Sequence, residues 1–88
     1  MRSYSSREVI QIIEADGWIH FDTHGDHWYY KHPIKTGKVT VTHPEKDILK
    51  ENLKSIFKQA GFTREEIKDL LWGDPNHPKK EKEGKNDG

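Results

Sequence analysis

The chain reads as a small α+β domain of order α-β-β-β-α with a short extra helix at the C-terminal end. Three observations predict this. Apolar residues recur at helical spacing in two separated segments, around Val9–Ile13 and from Leu49 to Ala60. Three short runs rich in aromatic and β-branched residues lie between them. Glycine or proline punctuates nearly every junction. The 88 residues suffice for one domain, expected over 1–73, followed by a polar tail over 74–88.

Ser5-Ser6-Arg7-Glu8 has the form of a capping box, with Ser5 as N-cap and Glu8 reaching back to it. Val9, Ile10, Ile12 and Ile13 make a wide apolar stripe, while Arg7, Gln11 and Glu14 face outward. Gly17 stops this helix, predicted over 6–16, because glycine tolerates a left-handed backbone. Trp18 to Asp22 is the first predicted strand, and Thr23-His24-Gly25-Asp26 the turn. The second strand runs from His27 to His32. Pro33 cannot continue the ladder, so 33–37 is a loop, and Lys38 to Thr42 form the third strand. Such strands make an antiparallel meander, one face covered by both main helices and the other wet.

The second helix carries Leu49, Leu53, Ile56, Phe57 and Ala60 on one side and ends at Gly61. Thr63-Arg64-Glu65-Glu66 is a second capping box, opening a helix with Ile67, Leu70 and Leu71 inward and Trp72 packing back. From Asp74 onward there is no large apolar side chain, which predicts a disordered tail.

Composition narrows the function. Fifteen basic and fifteen acidic residues cancel, which argues against nucleic-acid binding by bulk attraction alone, so any such binding must come from local segregation of charge. There is no cysteine, hence no disulfide framework and no thiolate metal site, as suits a reducing cytoplasm. No apolar run approaches the roughly 20 residues of a membrane span. The N-terminal residues lead into a helical pattern without a signal-peptide hydrophobic region. A cytoplasmic protein is the expectation.

Strand alternation then suggests a site. If Trp28 and Tyr30 face the helices with Val39 and Val41, then His27, Tyr29 and Lys31 stand in a row on the open face. A proton carrier, a stacking ring and a phosphate-binding cation would lie in line, beside the glycine turn at Gly25 and near Lys38. A second basic feature is the series Lys46, Lys50, Lys54 and Lys58, whose last three members make one helix ridge suited to phosphates. Solvated lysine faces are also common, and this is the bland reading of the ridge. His20, His24, His32, His43 and His77 read as structural or simply exposed. A metal site built from His24, His27, His32 or His43 is the alternative, but no H-E-x-x-H pattern supports it. Ser55 has no glycine-flanked elbow, and the glycines form neither a phosphate loop nor a dinucleotide fingerprint, so no cofactor is expected.

Three blocks carry a family resemblance. They are Ala15-Asp16-Gly17-Trp18; then Gly25-Asp26-His27 with Tyr30-Lys31-His32-Pro33; then Val39-Thr40-Val41-Thr42-His43-Pro44 with Leu53-Lys54-Ser55-Ile56-Phe57-Lys58-Gln59-Ala60-Gly61. In this order and spacing the chain resembles the HicA family of toxins, the RNA-cleaving halves of protein-neutralised (type II) prokaryotic toxin–antitoxin pairs. The match runs from about Ser5 to Phe62. The chain departs from many members at Asp26, Trp28 and Thr42, where serine, a second histidine and proline are usual.

The resemblance implies a fold like a double-stranded-RNA-binding domain, a three-stranded sheet packed on two helices. It implies a ribosome-independent endoribonuclease acting on messenger RNA, with His27 as the catalytic histidine. It implies a HicB-type antitoxin that masks the site and often carries a DNA-binding module. In the expected chemistry His27 is general base toward the ribose 2′-hydroxyl, without a metal. Lys31, Lys38 or Lys54 balances charge on the phosphorane. The pattern leaves the general acid open among a water, a lysine and His43. Gly25, Tyr29, Lys31, Lys38, Lys54 and Lys58 are the expected substrate contacts. The competing reading is a non-catalytic RNA-binding module of the same fold.

Overall fold

A computed structural model describes residues 2–73, so the expectation for the tail falls outside the described residues. The elements are α1 (Ser6–Ala15), β1 (Ile19–His24), β2 (His27–Lys31), β3 (Val39–Thr42), α2 (Lys50–Gln59) and α3 (Arg64–Trp72). The sheet has three antiparallel strands in the order β1-β2-β3. This is the arrangement expected of a double-stranded-RNA-binding-domain-like fold, with α3 added. Among the described residues, no helix is long and apolar enough to cross a membrane.

Both capping boxes form. Ser5 Oγ accepts from the Glu8 N–H and Thr63 Oγ1 from the Glu66 N–H, while each glutamate accepts from its N-cap backbone. The predicted α1 stripe is narrower in the structure: Val9 and Ile13 are fully buried, and Ile10 and Ile12 lie at its margins. In α2 the stripe is Leu53, Ile56 and Phe57. Leu49 does not belong to it and is 68% exposed. It is the N-cap, with extended backbone, so the helical phase does not reach it. Ile48 takes the buried place instead.

Tyr30, Val39 and Val41 meet these helices on the covered face, all fully buried. Tyr30 pairs with Val39 and Trp28 with Val41, so the alternation expected from the sequence holds. Two buried aromatic residues were also not among those expected inside. Tyr4 packs edge-on against Phe57 and donates its hydroxyl to Leu70 O at 2.7 Å, fastening the N-terminal segment to α3. Trp18 precedes β1 rather than opening it, and its Nε1–H reaches Ala60 O at 3.2 Å.

Other predicted strand ends shift too: β3 begins at Val39 rather than Lys38, and the later ends of β1 and β2 both move. β1 continues through His24, so the β1–β2 turn is only Gly25-Asp26. A bulge between His20 and Asp22 absorbs the extra residue Phe21. β2 stops at Lys31 because His32 turns out of the ladder. Its Nε2–H donates to Asp16 O at 2.8 Å, and its Nδ1 accepts the backbone N–H groups of Ile34 and Lys35, both at 3.0 Å. The ring lies so close to Gly17 that a Cβ there would meet Nε2 at 2.7 Å, and Gly17 also holds φ +106°. Glycine at this helix end serves the histidine as well as the turn.

Burial pushes the Tyr30 phenol up to about 12, with the nearby Glu14 carboxylate adding to it. An unfolded tyrosine ionises near pH 10, so above that pH the unfolded state sheds a proton that the folded state keeps. Stability therefore falls as pH rises from about 10 toward 12. By pH 11 the Tyr30 share of this loss is about 1 kcal/mol. Urea unfolding at pH 9 and pH 11 should show a smaller drop in Tyr30→Phe than in the parent chain.

Candidate active site

The short β1–β2 turn brings two histidines together. His24 and His27 are partners in the antiparallel register, one on each side of Gly25-Asp26. Gly25 holds φ +60°, the left-handed backbone that favours glycine in so tight a turn, and a Cβ added there would meet nothing within 4 Å. The hairpin tip is open on that side.

His27 stands on the open face, its side chain 54% exposed. Its nearest carboxylate oxygen is Asp26 Oδ1, 3.9 Å from Nε2 and beyond hydrogen-bond reach. Among the described histidines it alone makes no hydrogen bond through its ring. His24 does make one, to Asp22 Oδ2 at 3.0 Å. The Thr23 backbone N–H, donating to Asp22 Oδ1 at 2.9 Å, and then the His24 bond hold the Asp22 carboxyl below its usual range.

Behind the two histidines runs a strip of rings and cations. Tyr29 contacts His24 with ring centroids 5.6 Å apart, and Phe21 at 6.4 Å. Lys38 Nζ sits 4.8 Å from the Tyr29 ring centre, and Lys31 Nζ 4.7 Å from that of Phe21. The bulge is what brings Phe21 to this face, since Phe21 and Asp22 together oppose Tyr29. Flat rings with ammonium groups beside them fit bases and phosphates of a single strand.

The structure therefore brings Gly25, His27, Tyr29, Lys31 and Lys38 onto one face. It does not bring Lys54 and Lys58 there. Both line a groove between α2 and α3, with Ser55, Arg64, Lys68 and Trp72. The buried side of α2 packs on the covered face of the sheet, so this groove is a separate surface. Lys50 likewise lies over the Trp72 ring, 5.3 Å from its centre.

The other histidines are bound into the scaffold. His20 bonds Thr23 Oγ1 at 2.6 Å and stacks on Trp28 at 4.7 Å. His43, a candidate acid by sequence, bonds Ser6 Oγ through Nδ1 at 2.7 Å and packs edge-on against Trp28. It thus belongs to the covered side. His77 lies outside the described residues. Among the described residues, no three histidine, aspartate or glutamate side chains converge as a metal site. Sequence reasoning missed His24 and Phe21 as members of the face. A two-residue reading of the turn would have found His24, but the bulge leaves no sequence mark that we can name.

Ser6 Oγ also accepts the Glu45 N–H at 2.8 Å while fully buried. Ser6→Ala removes the acceptor of the Glu45 N–H and frees the His43 ring, and the two lost hydrogen bonds should cost about 1–3 kcal/mol in urea unfolding. His27→Ala, at an exposed position, should change stability by less than about 0.5 kcal/mol in the same measurement.

Comparison with known families bears on the same residues. A family model described as the HicA toxin of bacterial toxin–antitoxin systems matches residues 6–62, from the start of α1 to just past α2. No individually curated protein matches the chain.

Proposed function

Because the chain belongs to the HicA family of bacterial toxins that work with an antitoxin, we propose that it is an endoribonuclease that cuts messenger RNA without a ribosome, with His27 as its catalytic base. The observation that carries this reading is the position of His27. Its ring is exposed and unbonded at the end of a strip of aromatic and cationic side chains.

RNA brings its own nucleophile, so a small protein need only orient the backbone, remove a proton and stabilise charge. His27 accepts the proton of a ribose 2′-hydroxyl, whose oxygen attacks the adjacent phosphorus. Bases stack against Tyr29 and Phe21. Lys31 and Lys38, beside those rings, offset the negative charge that builds on the phosphorane. Gly25 gives the sugar–phosphate chain room to approach. Lys54 and Lys58 contribute, if the strand is long enough, from the groove between α2 and α3. The scheme needs no metal ion, and it places the protein where messenger RNA is, in the prokaryotic cytoplasm.

The partner is a HicB-type antitoxin that covers the open face. Exposed Ile19 and Phe21, at 59% and 45%, offer it apolar contact farther along β1 from the catalytic ring.

In an assay with labelled RNA, His27→Ala should lower the cleavage rate by at least about 10²-fold, the usual contribution of a positioned base. Its melting temperature should stay that of the parent, and cleavage by the parent should persist in EDTA. Robust cleavage by folded His27→Ala removes this residue from the mechanism. Loss on chelation with rescue by one metal ion points to metal-assisted hydrolysis instead.

A further inference from the structure

Cleavage by the 2′-hydroxyl route needs two proton transfers. One proton leaves the nucleophile, and another must reach the 5′-oxygen that departs from phosphorus. The structure assigns the second role to His24, as general acid opposite His27. The assignment rests on the ribonuclease reading of this site.

Geometry supports it first. His24 and His27 are direct cross-strand partners, and such pairs place their Cβ atoms about 4.5–5.5 Å apart on one face. Two imidazoles so placed can flank a single phosphate. The open hairpin tip at Gly25 lets that phosphate come between them.

The surroundings divide the two roles. Protonated His24 spends Nε2–H on Asp22 Oδ2 at 3.0 Å and keeps Nδ1–H free to donate. Asp22, held ionised by the Thr23 N–H, fixes the ring and gives the imidazolium a counter-ion. The Tyr29 ring meets that of His24 edge-on from β2. His27, with its nearest carboxylate oxygen at 3.9 Å, has no bonded partner and keeps a nitrogen free to accept. Different settings for two like groups are how a site holds an acid and a base together. The charged and titratable groups around His24 are Asp22 on its own strand, Asp26 in the turn, His27 and Tyr29 on β2, and Lys38, just before β3, beside Tyr29. His43 is occupied by Ser6 and Trp28 and is not free for the role.

The step balances as follows. The 2′-oxygen bonds to phosphorus and its proton passes to His27. The bond from phosphorus to O5′ breaks, O5′ keeps the electron pair and takes the Nδ1 proton of His24. The products are a 2′,3′-cyclic phosphate and a free 5′-hydroxyl. His27 leaves protonated and His24 neutral, and exchange with water resets both.

The test uses two RNA substrates, an ordinary one and one with sulfur replacing the 5′-oxygen at the cleaved bond. A thiolate departs without protonation. His24→Ala should lose about 10²-fold or more in kcat/KM on ordinary RNA. It should also lose the fall in rate at high pH that a required acid imposes. On the sulfur substrate it should approach the parent rate. Asp22→Asn should lose less on ordinary RNA and recover likewise. His27→Ala should be inactive on both. Equal loss on both substrates, or an unchanged rate and pH profile on ordinary RNA, overturns the assignment of His24 while leaving His27 in place. Absence of RNA cleavage by the parent chain, or cleavage by His27→Ala, overturns the ribonuclease reading and this assignment with it.

Discussion

Burying Tyr30 decides which way every side chain of β2 points. The ring is sealed among Val39, Val41 and the apolar sides of α1 and α2, and a strand alternates strictly. With Tyr30 inward, His27, Tyr29 and Lys31 have only the open face. A one-residue slip would bury three polar or charged side chains and expose the core ring, at a cost far beyond the few kcal/mol by which small domains are stable. The chemistry at the surface is thus set by hydrophobic burial beneath it. Trp28 follows the same rule, half-covered by His20 and His43 on the helix side.

The remaining histidines divide along that boundary. His32 and His43 act as joints. His32 ties the end of α1 to the loop after β2 through three hydrogen bonds, and the adjacent Lys35 bonds Asp16 Oδ2 at 2.6 Å and Ala60 O at 3.2 Å. Ala60 O also receives Trp18 Nε1–H, so the C-terminal end of α2 is held by the residue just before β1 and by the loop together. These bonds fix the helices on the sheet without using its other face. The outer edge of β3 is partly closed in the same spirit, since Thr40 donates its N–H to Gln59 Oε1 at 3.2 Å. A chain of this size with no disulfide thereby leaves one sheet face free for a ligand.

Much of this was legible in the sequence because it depends on local rules. Capping boxes, the Leu53-Ile56-Phe57 spacing and the alternation around Tyr30 each follow from period and short-range hydrogen bonding. What escaped depends on contacts between distant residues. Tyr4 is buried by α3, more than sixty residues away in sequence, as its bond to Leu70 shows. Leu49 fits the helical spacing, yet it sits one residue before the helix, where spacing no longer sets orientation. At the site, His27, Tyr29 and Lys31 were readable by alternation alone. Lys54 and Lys58 were grouped with them by charge, but charge carries no information on which side of a helix faces which surface. His24 was hidden by the turn, which spans two residues rather than four, and Phe21 by the bulge that carries it onto the face.

The central claim is that RNA is bound for cleavage on the open sheet face, with the groove between α2 and α3 a secondary contact only. NMR spectra of the labelled protein, recorded while adding a 2′-O-methyl RNA oligonucleotide that cannot be cut, test it most directly. The account predicts shifts concentrated on the His24 and His27 rings, Tyr29, Phe21 and Lys31, with the His32 and His43 rings unmoved. Shifts confined to Lys54, Lys58, Arg64 and Trp72, or none at all at saturating RNA, would contradict it.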